Sequence, residues 1–257
     1  MAGAPERREP LGLLQDWLLR HAAALAEPVT LGGFRLHLHA APHPFYRNTA
    51  IPLTDRSDWP PALEHLRRYG RELGLGARIE CFAEGFPRLE RALERAAFRI
   101  ELAPAMLATA RPRPPEAGVR LPQQPTPAEA RAFLEAMLAA FGGPPPRRAE
   151  IHRLLACHAA GRLRLAWRCR EGRILAGAAL GICGDIAELM GVFTAADCRG
   201  RGHARAVCSA LCAAFAGTGG RLLWLAANGS ASGFYARLGF RRVGTRLEAF
   251  ASRLADA

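Results

Sequence analysis

One short segment combines residue types that could handle a phosphate: Asp197-Cys198-Arg199-Gly200-Arg201-Gly202-His203-Ala204. Glycines at a strand-to-helix turn let backbone amides approach a ligand, and the helix that follows offers unpaired N–H groups and the positive end of its dipole. Arg199, Arg201 and Arg205 add positive charge against one local acid, Asp197. This chemistry asks for a phosphorylated ligand; the alternative is that the glycines only make a tight turn. The segment is not a dinucleotide fingerprint, because GRGHAR lacks the third glycine of GxGxxG. Nor is it a P-loop, because all 35 Lys-plus-Arg residues of the 257-residue chain are Arg. The missing Lys also excludes the kinase strand lysine, the pyridoxal Schiff base and the aldolase-type imine.

The formal net charge is +12 and is spread unevenly. Residues 1–118 hold 16 Arg against 14 acids, or +2, and residues 119–257 hold 19 Arg against 9 acids, or +10. A GC-rich codon bias accounts for the absence of Lys but not for this division. Dense Arg is also the footprint of nucleic-acid binding, yet the chain lacks interleaved aromatics and any recognised motif, so no nucleic-acid partner is expected. With 50% hydrophobic residues the chain is globular. Seven cysteines without a CxxC pair point to a reduced compartment. The start MAGAPERREP has no apolar signal core, and the longest apolar run, residues 174–184, is too short to span a bilayer. A cytoplasmic protein without membrane attachment, monomeric or homodimeric, is expected.

These residues need elements to position them. A proline-rich seam at residues 110–127 suggests two domains, 1–115 and 116–257. Thr126-Pro127-Ala128-Glu129 is a capping box with Pro at the first helical position, and Phe133, Leu134, Met137, Leu138 and Phe141 share one face of the helix it starts. A second helix is expected over 148–158. Residues 162–170 alternate Leu163, Leu165, Trp167 and Cys169 with four Arg, which predicts a strand buried on one side. Strands over 174–183 and 186–194 complete an antiparallel meander. A helix over 203–216, a strand over 222–226, a helix over 231–238 and two closing strands at 240–243 and 246–250 follow. The order predicts a mixed α/β sandwich around one sheet.

The run VFTAADCRGRGHA (192–204) and the run LLWLAANGSASGFYARLGFRRVG (222–244) resemble two motifs of the Gcn5-related N-acetyltransferase superfamily, GNAT. The first matches the acyl-CoA pyrophosphate loop as Arg199-x-x-Gly202-x-Ala204. The second matches its later signature as Asn228, Ala231, Phe234, Tyr235, Gly239 and Phe240. The resemblance implies a GNAT-like α/β fold, a mostly antiparallel sheet flanked by helices, with acetyl-CoA as acyl donor, an amine of a small molecule or protein as acceptor, and no metal. It implies that Val192, Phe193 and Thr194 hold the pantetheine arm. The amides of Arg199, Gly200, Arg201, Gly202, His203 and Ala204 would cradle the pyrophosphate, with Asn228 near the thiol end. Strand amides would polarise the thioester carbonyl. Tyr235 would be the general acid, a phenol that stays neutral at physiological pH. Glu188, on the third strand of the meander, is the candidate general base; its alternative is a solvent-facing side chain. A non-catalytic acyl-CoA sensor is the alternative to the enzyme.

Residues 78–102 read strand, turn, helix with Leu89, Leu93 and Ala97 on one face, then strand. This resembles the end of a second GNAT domain, with Glu84-Gly85-Phe86-Pro87 in place of the Asn motif and no pyrophosphate loop in residues 1–118. The resemblance implies two such domains in tandem, the first without a cofactor site and shaping the acceptor pocket. Residues 30–60 and 140–160 are the stretches expected to line that pocket. His37-x-His39 with His43 nearby offers two imidazoles on one strand face, but without carboxylate or thiolate ligands at spacing a packing role is expected.

Overall fold

The computed structural model describes residues 8–26, 28–39, 45, 48–109 and 116–251. The first half runs α1 (Arg8–Ala23), β1 (Pro28–Leu31), β2 (Phe34–His37), β3 (Thr49–Pro52), α2 (Trp59–Glu72), β4 (Arg78–Phe82), α3 (Pro87–Arg95) and β5 (Arg99–Ala108). The second half runs β6 (Val119–Arg120), α4 (Pro127–Ala140), α5 (Arg148–Ala159), β7 (Leu163–Arg170), β8 (Arg173–Cys183), β9 (Ile186–Thr194), α6 (His203–Gly217), β10 (Leu222–Ala226), α7 (Ser232–Arg237) and β11 (Phe240–Phe250).

All these strands join one 11-stranded sheet in the order β1-β2-β3-β4-β11-β5-β10-β9-β8-β7-β6. Only β3–β4 and β9–β10 pair in parallel; the rest are antiparallel. The GNAT-like mixed sheet flanked by helices is therefore the observed fold. Strand β11 lies between β4 and β5, and β5 lies between β11 and β10, so each half inserts a strand into the other. The orders β4-α3-β5 and β10-α7-β11 repeat one another about this central pair. Residues 110–115, at the expected domain boundary, lie outside the described residues.

Local signals account for much of the second half. Thr126 Oγ1 accepts from the Glu129 amide at 3.2 Å, and Glu129 Oε2 accepts from the Thr126 amide at 2.9 Å, closing the capping box at the start of α4. Phe133, Leu134 and Met137 are buried beneath it. Phe141 is not: it is the C-cap and 61% exposed. The expected meander is present as β7, β8 and β9. Strand β7 is covered on both faces rather than one, because α6 packs over Ala166 while α4 and α5 pack over Leu165 and Trp167. Arg164 and Arg168 are half-buried, their charged ends reaching past this cover, that of Arg168 to Glu116 at 3.7 Å.

Two expectations at chain reversals are corrected. The closing strands at 240–243 and 246–250 form one strand, β11, with a register shift between Arg242 and Gly244. A Cβ at Gly244 would come within 2.7 Å of Leu11 and 3.0 Å of Glu84, and Glu84 Oε2 accepts from the Thr245 amide at 3.1 Å, so α1 and the β4–α3 turn hold the bulge. Ala97 does not share the helical face of Leu89 and Leu93. Helix α3 ends at Arg95, and Ala97 is exposed at φ 53, where it turns the chain so that Phe98 can bury. Helix α1 covers the join between the halves, packing Leu14, Trp17 and Leu18 against Ile51, Phe82, Ile186 and Trp224.

Candidate active site

Strand β9 ends at Thr194 and leads through a single turn, Ala196–Cys198, to the loop that precedes α6. Arg173 donates to both oxygens of Asp197, at 2.7 and 2.6 Å, and these bonds hold the Asp197 carboxyl down at about 2. The one local acid is thereby neutralised. Gly200 and Gly202 sit at φ 76 and 80, and Gly202, as N-cap of α6, has no side chain to satisfy the first amides of the helix. Arg199 and Arg201 are exposed and make no ion pair among the described residues. Arg205 differs from them, because it pairs with Glu116 at 3.2 Å.

Residues 192–194 and 199–204 line a single cleft of about 710 Å³, within the roughly 300–1,000 Å³ usual for ligand sites. Tyr235 and Phe234 close it on the far side, and the exposed Phe141 and Arg237, which the sequence reading missed, also line it. Tyr235 is packed edge-on to Phe234 and Phe240, and burial pushes its phenol up. Asn228 is exposed and does not line this cleft; it caps the turn Gly229–Ala231, which brings Ala231 to the wall.

Glu188 lies elsewhere. Alternation along β9 places Ala187 and Leu189 in the core that includes Tyr235, and turns Glu188 and Met190 to the other face. There they line a second cavity, of about 140 Å³, with Trp17 and His21 of α1, His37 of β2 and Thr49 of β3. Between cleft and cavity β9 is bulged: Met190 and Phe193 pair with Ala179 and Gly177, so Gly191 and Val192 together oppose Ala178. Gly191 takes φ 57, and Phe45 stands so close that a Cβ there would be 2.7 Å from its ring. A glycine inside a strand pattern was the available sign of this bulge.

Burial pushes the Glu188 carboxyl up to about 7, against the pull of Arg246 and with the help of Glu80 and Glu248. Arg246 bridges these acids: Nη1 meets Glu188 Oε1 at 3.2 Å, and Nη2 meets Glu80 at 2.9 Å and also binds Glu248. Arg78 joins Glu80 and Glu248 at 3.4 and 3.0 Å. Glu80 and Glu248 face each other across the β4–β11 ladder, a repulsive pair unless cations intervene. Arg78, Glu80 and Arg246 gave no sequence signal, because strand exchange alone brings them to Glu188.

His43 lies outside the described residues, and among those described no group of three or more His, Cys, Asp or Glu could hold a metal ion. No helix among them is long and apolar enough to cross a membrane.

The model of the acetyltransferase (GNAT) family matches residues 130–240, from within α4 to the first residue of β11. Over that span, less than half of the chain, the sequence is similar to the acetyltransferases of this family. Solved structures extend the likeness to the first half. A GCN5-related N-acetyltransferase from Kribbella flavida superposes with a TM-score of 0.74 at 21% identity, covering 96% of this chain and 98% of its own. One from Sphaerobacter thermophilus gives 0.62 at 18%, covering 85% and 76%. At these identities the likeness is one of fold. No curated protein matches the chain in sequence.

Proposed function

We propose that this GNAT protein transfers the acetyl group of acetyl-CoA directly to the amine of a small molecule or protein. The observation that carries the reading is the division of β9 by its bulge, with the phosphate-ready cleft at Val192–Thr194 and a buried carboxylate, Glu188, just before it. The residues present fit the donor. Unpaired Arg199 and Arg201, two left-handed glycines and an uncapped helix N-terminus suit a pyrophosphate. When bound, the donor supplies an activated thioester whose acyl carbon exchanges its C–S bond for a C–N bond.

The chain's own groups divide the remaining work. Residues 199–204 hold the pyrophosphate and residues 192–194 the pantetheine arm, while Asn228, outside the cleft, is given no contact with the donor. The bulge leaves backbone groups of Gly191 and Val192 outside the regular ladder, and such amides can polarise a carbonyl. Glu188, at about 7, is a base near neutrality and accepts the amine proton. Tyr235, kept protonated by burial, returns a proton to the departing thiolate. Residues 1–115 act as a companion domain without a pyrophosphate loop, and their contribution is the wall of the second cavity.

Calorimetric titration with acetyl-CoA tests the cleft, and a thiol-release assay over an amine panel tests turnover. Absence of binding up to millimolar donor overturns the reading. Binding without turnover turns the protein into an acyl-CoA sensor.

A further inference from the structure

We propose that the cavity around Glu188 is the acceptor subsite for a small primary amine that arrives as its ammonium ion, has a compact branched apolar body and carries one uncharged polar group such as a hydroxyl. The proposal rests on the acyl-transfer reading and deepens it by naming the substrate class.

Size comes first. The cavity holds about 140 Å³, close to the roughly 150 Å³ of an apolar protein cavity that accepts benzene. A body of about six heavy atoms fits. Trp17, His21, His37, Ile51, Glu80 and Glu188 are all buried, so the inner wall is shielded from solvent, while the partly exposed His39, Phe45 and Met190 mark its mouth. The space is too small for a polypeptide backbone, so a peptide could enter only by a lysine side chain, which is unbranched and brings no hydroxyl. Trp17, Leu18, Ile51 and Met190 supply apolar walls.

Charge comes second. Within the ion-paired cluster, and among the described residues, Arg78 and Arg246 stand against Glu80, Glu188 and Glu248, two cations to three acids, with Arg153 apart from them beside His39. The histidines do not offset it. His21 and His37 are both lowered to about 4, chiefly by burial, and His39 is lowered by burial and by Arg153. An isolated buried charge is costly, so the excess is met either by a proton or by a cation. An ammonium supplies the cation. A free amino acid does not, because its carboxylate restores the negative excess.

Unsatisfied polar groups come third. Both ring nitrogens of His37, a residue with no exposed surface, lack a hydrogen-bond partner, and so does Thr49 Oγ1. Both residues line the cavity. A buried polar group without a partner costs about 1–3 kcal/mol, so the pair is suited to a ligand that completes it. Neutral imidazole and hydroxyl each offer a donor and an acceptor, which fits a hydroxyl better than a second charge.

The chemistry balances with groups already placed. The ammonium yields one proton to bulk solvent on becoming nucleophilic, and its nitrogen forms the C–N bond as the C–S bond breaks. Glu188 takes a second proton from the nitrogen and Tyr235 gives one to the thiolate; both recover their starting states by exchange with solvent.

The experiment uses the full chain, acetyl-CoA and a matched set: valinol, 3-methyl-2-butylamine, valine and a short lysine-containing peptide. Acetyl-CoA binding is measured separately by calorimetry, so failure of the donor site is distinguished from failure of this inference. The expected order of kcat/KM is valinol, then the deoxy amine by up to about tenfold, the value of one net hydrogen bond, with valine and peptide at least about a hundredfold below valinol. Thr49→Val is expected to reduce the valinol-to-deoxy ratio toward one, without changing the calorimetric affinity for acetyl-CoA. Donor binding with equal use of valine, preferred use of the peptide, or no use of any of the four overturns the proposal. So does an unchanged ratio in Thr49→Val.

Discussion

Glu188→Gln removes a proton acceptor while keeping shape and hydrogen-bonding reach. In the wild type the carboxyl is held at about 7 by burial, against the attraction of Arg246. The basic fraction then rises from about a tenth at pH 6 to about nine-tenths at pH 8, which contributes about tenfold to kcat/KM over that range, on top of the slope from the acceptor's own titration. The variant should lose about 10²–10⁴ in kcat and the whole of this inflection, leaving only the slope from the acceptor's own titration. Stability should move little or upward. A carboxyl raised from 4.5 to about 7 binds its proton more tightly in the fold, so its contribution declines as pH climbs from 4.5 to 7. The amide resembles the neutral form and escapes that decline, by a few kcal/mol at most at pH 8. Arg246 retains Glu80 and Glu248 in the variant. Stopped-flow or plate-reader thiol release from pH 5.5 to 9, with thermal melts at the same pH values, measures both. A variant within about twofold of wild-type kcat, with the same inflection near 7, refutes the assignment of Glu188 as base.

Arg199→Ala and Arg201→Ala should each weaken acetyl-CoA binding about tenfold or more, with a reduced dependence on salt, since both lack an ion-pair partner among the described residues. Arg205→Ala should cost less, because its guanidinium is engaged by Glu116 at 3.2 Å; calorimetry at two ionic strengths compares the three. Ala97→Gly should stabilise the protein by about 0.5–1 kcal/mol and raise Tm by a few degrees, since residue 97 sits exposed at φ 53; a lower Tm would show that Ala97 is not strained. Residues 1–115 and 116–257 expressed apart should each be poorly folded by circular dichroism, because each would lack the strand the other inserts, β11 or β5. Two separately cooperative melts would count against this dependence.

The second half was legible because its signals are local. A capping box, a strand alternation broken by Glu171-Gly172 and Gly184-Asp185, and a glycine loop ahead of an amphipathic run each act within a few residues. The observed elements follow them to within two or three positions. Misreadings occurred where a helix ended one residue early or a distant contact overrode a local cue. Phe141 has the spacing of a core residue yet lies past the last turn of α4, and Gly244 reads as a break between strands yet is a bulge braced by Leu11 and Glu84.

What the sequence determined by itself is therefore the proposed donor end: the loop 199–204, the helix behind it and Tyr235 all fall within one stretch whose geometry is set by near neighbours. The proposed acceptor end was decided by tertiary structure. His37, Glu80, Glu188 and Arg246 are scattered over both halves, and only the pairing of β11 between β4 and β5 brings them around one cavity. Whether Glu188 faces water or a buried Arg depends on that strand exchange, and so does its proton affinity. Sheet order is a non-local property, settled by which apolar faces bury together, and no spacing within one segment records it.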